Sequence, residues 1–167
     1  MQDILTCAMG LDVHRDIIVA CLVKGAVDAE PEAETRTFST LIPEMQKLRD
    51  WVIESECRNI AMESTGIYWK PIYEMLESCF DGEISILVVN ARHMKNVPGR
   101  KTDMKDAQWI ATLLRAGLLK GSFIPDKAFR ELRHLTRYRK SIVHDITAQK
   151  TRIDKFLQSS GFRFTAF

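Results

Sequence analysis

The chain has 167 residues, 46% of them hydrophobic and 28% charged, which suits one globular domain with a real core and excludes a largely disordered polymer. Its longest uninterrupted apolar run, Ile17 to Val23, is far short of the roughly 18 residues of a membrane span, and Met1-Gln2-Asp3 opens no secretory signal, so a cytoplasmic protein is expected. The net charge of +2 hides an asymmetry: residues 1–91 hold 7 Lys+Arg against 16 Asp+Glu and residues 92–167 hold 17 against 6, so the second half is suited to a polyanion.

In chain order, Cys7 to Val13 and Asp16 to Val23 are β-rich runs joined by a turn at His14 and Arg15, and Glu34 to Thr40 is a third, so an antiparallel meander is predicted. Leu41, Met45, Leu48, Trp51, Val52 and Ile53 have helical spacing within Leu41 to Glu56. Asn59 to Met62 is a short strand, and Tyr68 to Cys79 is a helix whose regular part starts near Lys70, with Pro71 in its first turn. Glu83 to Asn90 is a strand, with Ile84 to Val89 reading as buried on both faces. A short polar helical piece, a loop at Pro98-Gly99-Arg100 and a helix from Asp103 to Leu118 follow. The order is βββαβαβα.

From Asp126 to Ser159 there is no Gly or Pro, and Leu132, Leu135, Ile142, Ile146, Ile153 and Leu157 step by 3, 7, 4, 7 and 4 residues. This heptad-like stripe predicts a helix of about 50 Å that packs on another helix, or an ordinary long helix folded onto the core. Cys7, Cys21, Cys57 and Cys79 form no CxxC pair, and no histidine stands at zinc-site spacing, so reduced and mostly buried thiols are expected. His14, His93, His134 and His144 are scattered and read as structural or exposed.

Two carboxylates emerge at strand ends. Asp12 closes an apolar run in Gly10-Leu11-Asp12-Val13-His14, and Glu63 follows Asn59 to Met62. An acid embedded in an apolar strand must be paired, protonated or bound to a cation. Asp103 and Asp106, three apart at a helix start, share a face, though the helix dipole or an N-cap would explain either one. Four converging carboxylates suit a hard cation such as Mg²⁺. With the element order, they point to a ribonuclease H-like α/β mixed sheet and to phosphodiester cleavage.

The segments Gly10-Leu11-Asp12-Val13-His14, Ala61-Met62-Glu63-Ser64-Thr65-Gly66-Ile67-Tyr68-Trp69, and Asn90-Ala91-Arg92 through Lys101-Thr102-Asp103-Met104-Lys105-Asp106-Ala107 resemble the N-terminal DEDD domain of the Piv/MooV-type insertion-sequence transposases, also called bridge-RNA-guided recombinases. The resemblance extends into Leu132-Arg133 and Arg137-Tyr138-Arg139. It implies a RuvC-like domain over residues 1–120 whose tetrad Asp12, Glu63, Asp103 and Asp106 binds Mg²⁺, or Mn²⁺ in its place, and cleaves DNA. It also implies a basic coiled-coil helix over residues 121–167 that dimerises and contacts a guide RNA. In that family a C-terminal domain supplies a serine nucleophile, which this chain is expected to lack.

Arg133, Arg137, Arg139 and Lys140 would form a cationic helix surface for nucleic acid, with Tyr138 interleaved, and Arg100, Lys101 and Lys105 would hold phosphates near the metals. Plain solvated charge and charge balancing of the acidic pair are the competing readings. Two other functions compete with the recombinase. An actin-like ATPase would share the Gly-x-Asp strand but need a second glycine-rich phosphate loop, for which Ser64-Thr65-Gly66 stands alone. A non-catalytic nucleic-acid and dimerisation module would use the acids structurally.

Overall fold

The computed structural model describes residues 4–64, 66–90 and 106–163. It divides into two compact units, Met1–Phe123 and Ile124–Phe167. The first contains strands β1 (Cys7–Val13), β2 (Ile17–Lys24) and β3 (Glu32–Ser39), helix α1 (Ile42–Glu54), strand β4 (Asn59–Glu63), helix α2 (Trp69–Phe80), strand β5 (Ser85–Val89) and helix α3, described over Asp106–Arg115. The second contains the 33-residue helix α4 (Lys127–Ser159).

The five strands form one sheet in the order β3-β2-β1-β4-β5. The pairs β1–β2 and β2–β3 are antiparallel, whereas β1–β4 and β4–β5 are parallel. This is the mixed sheet expected of a ribonuclease H-like domain. The meander is local because its strands are joined by short turns; the parallel pairs need helical crossovers, which α1 and α2 supply.

Alternation along the strands divides the core between two faces. On one, Val13, Ile18 and Phe38 share a face through the pairs Val13↔Ile18 and Ile18↔Phe38. Trp51 of α1 packs there, its ring 6.1 Å from that of Phe38, and the Arg36 guanidinium lies 4.4 Å from the Trp51 ring centre. Such a contact lets an exposed edge strand carry a cation without losing packing. α2 sits beside α1 and buries Ile72 and Leu76. On the opposite face α3 packs Ile110 and Leu114 against Ala8, Ala61 and Val89, and Ala107 and Ala111 against Cys21 and Val23.

Gly10 sets how closely α3 approaches. A Cβ at this position would run into the Ala107 carbonyl oxygen and lie 2.5 Å from the Ala111 nitrogen, so only glycine lets the helix backbone rest on β1. At the other end of α3, Arg115 is 1% exposed. Its Nε donates to the Leu5 carbonyl oxygen at 2.9 Å, and Nη2 donates to the carbonyl oxygens of Gly25 and Ala26. One of the residues counted toward the basic half is thus an internal brace joining the start of β1, the β2–β3 turn and the end of α3.

Several element boundaries differ from the sequence expectation. β5 buries only Val88 and Val89, because it is the sheet's last strand among the described residues and has a neighbour on one side only. β3 starts at Glu32, two residues early, since its pairing with β2 continues through Lys24↔Glu32. α2 starts at Trp69, with Pro71 in its first turn as the missing proline N–H requires. Of the four thiols expected to be mostly buried, Cys21 and Cys57 are buried, Cys7 is half-buried and Cys79, on α2, is exposed. The polar piece after Asn90, the loop at residues 98–100 and the first residues of the helix predicted from Asp103 lie outside the described residues. No helix among the described residues is long and apolar enough to cross a membrane.

Candidate functional site

Asp12 lies near the end of β1, on the same face as Ala8 and Gly10 because it is spaced from them by even steps. Glu63 ends β4, two residues beyond Ala61. The parallel register pairs Gly10↔Ala61 and Leu11↔Met62, so its next step sets Asp12 beside Glu63 on adjacent strands, with Cα atoms about 5 Å apart. Both carboxylates therefore arise at the carboxyl ends of neighbouring parallel strands and on the α3 face. The Glu63 end of β4 is held by β5 through Glu63↔Val89 and by the Ser64 N–H, which donates to the Val89 carbonyl oxygen at 2.8 Å.

Asp12 is only 9% exposed. His14 Nε2 lies 3.0 Å from Asp12 Oδ2, which makes His14 part of the site although its own side chain is about half exposed. Sequence reading set His14 among the scattered histidines. The signal that identifies it is its spacing of two from Asp12, which in an extended chain puts both side chains on one face.

α3 runs antiparallel to β1, from Ala107 over Gly10 to Arg115, whose carbonyl accepts from the N–H groups of Ile4 and Leu5. Its N-terminal end therefore points toward the Asp12 and Glu63 end of the sheet, and Asp106 stands in that first turn, exposed. Asp103, with Arg100, Lys101 and Lys105, lies outside the described residues. Among the described residues, no three His, Cys, Asp or Glu side chains gather closely enough to hold a metal ion. The two strand-borne carboxylates, Asp12 and Glu63, are oxygen donors of the kind a hard divalent cation takes, with His14 hydrogen-bonded to Asp12 beside them.

Past Gly66, whose φ of +57° turns the chain, Ile67 and Tyr68 lead into α2 and stay largely exposed. Trp69 packs edge-on against Tyr73 at 5.7 Å, as expected for an aromatic at a helix start.

In the second unit, Asp126 caps α4 by accepting from the Phe129 N–H at 3.0 Å. Arg133, Arg137 and Lys140 follow the i, i+4, i+7 spacing of one helix face, and all are exposed. Arg139 does not join them. At 3.6 residues per turn it falls on the side of Leu135, Ile142, Ile146 and Ile153. That apolar stripe exists as predicted, with Leu135 67% and Ile153 53% exposed.

A family model described as a transposase, DEDD_Tnp_IS110, matches residues 9–161. No curated relative matches the sequence. Among solved structures, RuvC of Thermus thermophilus is 12% identical with a TM-score of 0.46, covering 70% of this chain and 99% of its own. A Fowlpox virus resolvase, solved with its substrate Holliday junction DNA, is 8% identical with a TM-score of 0.46, covering 66% of this chain and 96% of its own.

Proposed function

The chain belongs to the DEDD_Tnp_IS110 transposase family, and from that premise we propose that it carries the metal-dependent, DNA-cleaving RuvC-like domain of a recombinase. Asp12, Glu63, Asp103 and Asp106 are its catalytic carboxylates and hold Mg²⁺, for which Mn²⁺ can substitute. The observation that carries this reading is the β1–β4 register, which sets Asp12 beside Glu63 on the face toward which the N-terminal end of α3 points.

Bound Mg²⁺ would supply charge to the scissile phosphate and to the oxygen that leaves. The chain's own contribution is placement. Gly10 lets α3 rest on β1, and the register of Leu11↔Met62, carried one step on, would bring the two strand-borne carboxylates side by side. Arg100, Lys101 and Lys105 are proposed to hold backbone phosphates beside the acids, while Arg133, Arg137 and Lys140, without Arg139 of the expected set, contact nucleic acid on α4, a structured guide RNA as well as DNA. The attacking hydroxyl is assigned to a serine of a separate domain in the complete recombinase. A dimer or larger oligomer would form through the apolar stripe of α4, giving the domain arrangement of residues 1–120 for cleavage and 121–167 for assembly.

The test is calorimetric titration of Mn²⁺ and Mg²⁺ at fixed ionic strength, up to millimolar metal, against the chain and a folded Asp12→Asn variant, with and without a short DNA. Binding that the variant loses supports the tetrad. If no metal binds even with DNA phosphates present, the metal mechanism fails and a non-catalytic nucleic-acid module is the better description.

A further inference from the structure

Cys7 opens β1 and Cys57 lies two residues before β4, at the end of the sheet opposite Asp12 and Glu63. Stepping the Met9↔Ile60 register back sets Cys7 beside Arg58, one residue diagonal from Cys57. For neighbouring strands that diagonal is about 6 Å between Cα atoms, inside the span a disulfide bridges. Asn59 ties the two together: its Nδ2 donates to the Cys7 carbonyl oxygen at 3.3 Å, and its own carbonyl oxygen accepts from the Cys57 thiol at 3.3 Å. The two thiols also interact with one another electrostatically.

The surroundings divide the two thiols into different roles. The hydrogen bond from Cys57 holds the Cys7 thiol down to about 7 against the opposing effect of burial, with help from Lys24 on β2 and Arg115 on α3. The same hydrogen bond and its own burial push Cys57 up. Cys7 is thus the thiol of the pair that ionises first and Cys57 the one that keeps its proton, the arrangement in which a nucleophilic cysteine stands next to a resolving one. Cys7 is only half-buried, which leaves it open to a small oxidant, and Cys57 lines a cleft of about 340 Å³ walled by Val52, Glu56, Phe80 and Glu83.

We propose that Cys7 and Cys57 are a redox-active dithiol, a modification site at which a hydroperoxide oxidises Cys7 and Cys57 resolves it to a disulfide joining β1 to the approach of β4. In the first step the Cys7 thiolate attacks a peroxide oxygen and the O–O bond breaks. Sulfur keeps the hydroxyl as a sulfenic acid, and the departing oxygen takes a proton from solvent. In the second, Cys57 gives up its proton, its sulfur attacks the Cys7 sulfur, and the S–O bond breaks to release water. Two thiols lose two electrons in all, and the peroxide is reduced to an alcohol (or water) and water. The site is remote from the carboxylates and independent of the recombinase reading.

The test uses the full chain carrying Cys79→Ser, which removes the exposed thiol, with hydrogen peroxide as the probe and peptide mapping under non-reducing conditions. A linked Cys7–Cys57 peptide that dithiothreitol releases is the expected result. Adding Cys57→Ser should leave Cys7 trapped as a sulfenic acid that dimedone labels. In the parent chain the rate of Cys7 alkylation should rise with pH about a midpoint near 7, below the ordinary thiol value of about 8.5. Peroxide that carries Cys7 to the sulfinic acid without a linked peptide, leaves both thiols intact, or links Cys7 only between chains would overturn the proposal. The peptide map needs only the exposed Cys79 substitution, so it decides the matter even if Cys57→Ser does not fold.

Discussion

A methyl group on Gly10 has nowhere to go. Its Cβ would collide with the Ala107 carbonyl oxygen and crowd the Ala111 nitrogen, both backbone atoms of α3, and no side-chain rotation relieves that. Gly10→Ala should therefore lift α3 from the sheet and cost about 3 kcal/mol, the upper end of overpacking, lowering Tm by roughly 10 °C. Because α3 carries Asp106, the same variant should weaken metal binding even below its own Tm. Thermal unfolding beside a metal titration checks both parts; a variant with unchanged Tm would mean that α3 does not rest on β1 as described. In the sequence, Gly10 was legible as one letter of the Gly10-Leu11-Asp12-Val13-His14 segment, with no sign of why a glycine stands there. The reason for the glycine is a helix that arrives about a hundred residues later, which no local pattern carries. Arg115 illustrates the same limit, since a charge count cannot tell a solvated cation from a guanidinium bound to three backbone carbonyls.

Elements governed by local periodicity were the legible ones. The meander, α1 and β4 follow from alternation and helical spacing, and α4 was read to within a residue because Asp126 caps it and neither Gly nor Pro interrupts it. Burial of β5 was misread because an apolar run does not reveal whether a strand has neighbours on both sides. The cationic set on α4 was also read too coarsely: nearness in sequence grouped four residues that the helix separates into Arg133, Arg137 and Lys140 on one face and Arg139 on the apolar side. That separation gives a prediction at the scale of the helix. Each phosphate contact contributes a slope of nearly one to the dependence of log affinity on log salt. Replacing Arg133, Arg137 and Lys140 with Gln should therefore reduce the slope for duplex DNA by about 2 to 3. Arg139→Gln should leave it nearly unchanged. Equal effects per residue would mean that the nucleic acid wraps the helix instead of lying on one face.

At the scale of the whole molecule, the charge imbalance read from the sequence acquires a physical consequence. On the proposed reading, Asp12 and Glu63 side by side would repel the phosphates of a bound DNA, and a divalent cation at the carboxylates would remove that repulsion. Metal and DNA should then bind with positive coupling, and linkage requires that each tighten the other by the same factor. A tenfold effect, about 1.4 kcal/mol, is the expected order for the relief of one such repulsion. DNA affinity measured at constant ionic strength should rise about tenfold from EDTA to Ca²⁺, a cation of the same charge that takes the same oxygen ligands. Asp12→Asn should bind DNA more tightly than the parent in EDTA, because one repelling charge is gone, and should gain little from Ca²⁺. A parent chain indifferent to the cation, with Asp12→Asn matching it under both conditions, would separate the acidic end of the sheet from the DNA path and leave the basic helix as the whole of the nucleic-acid interface.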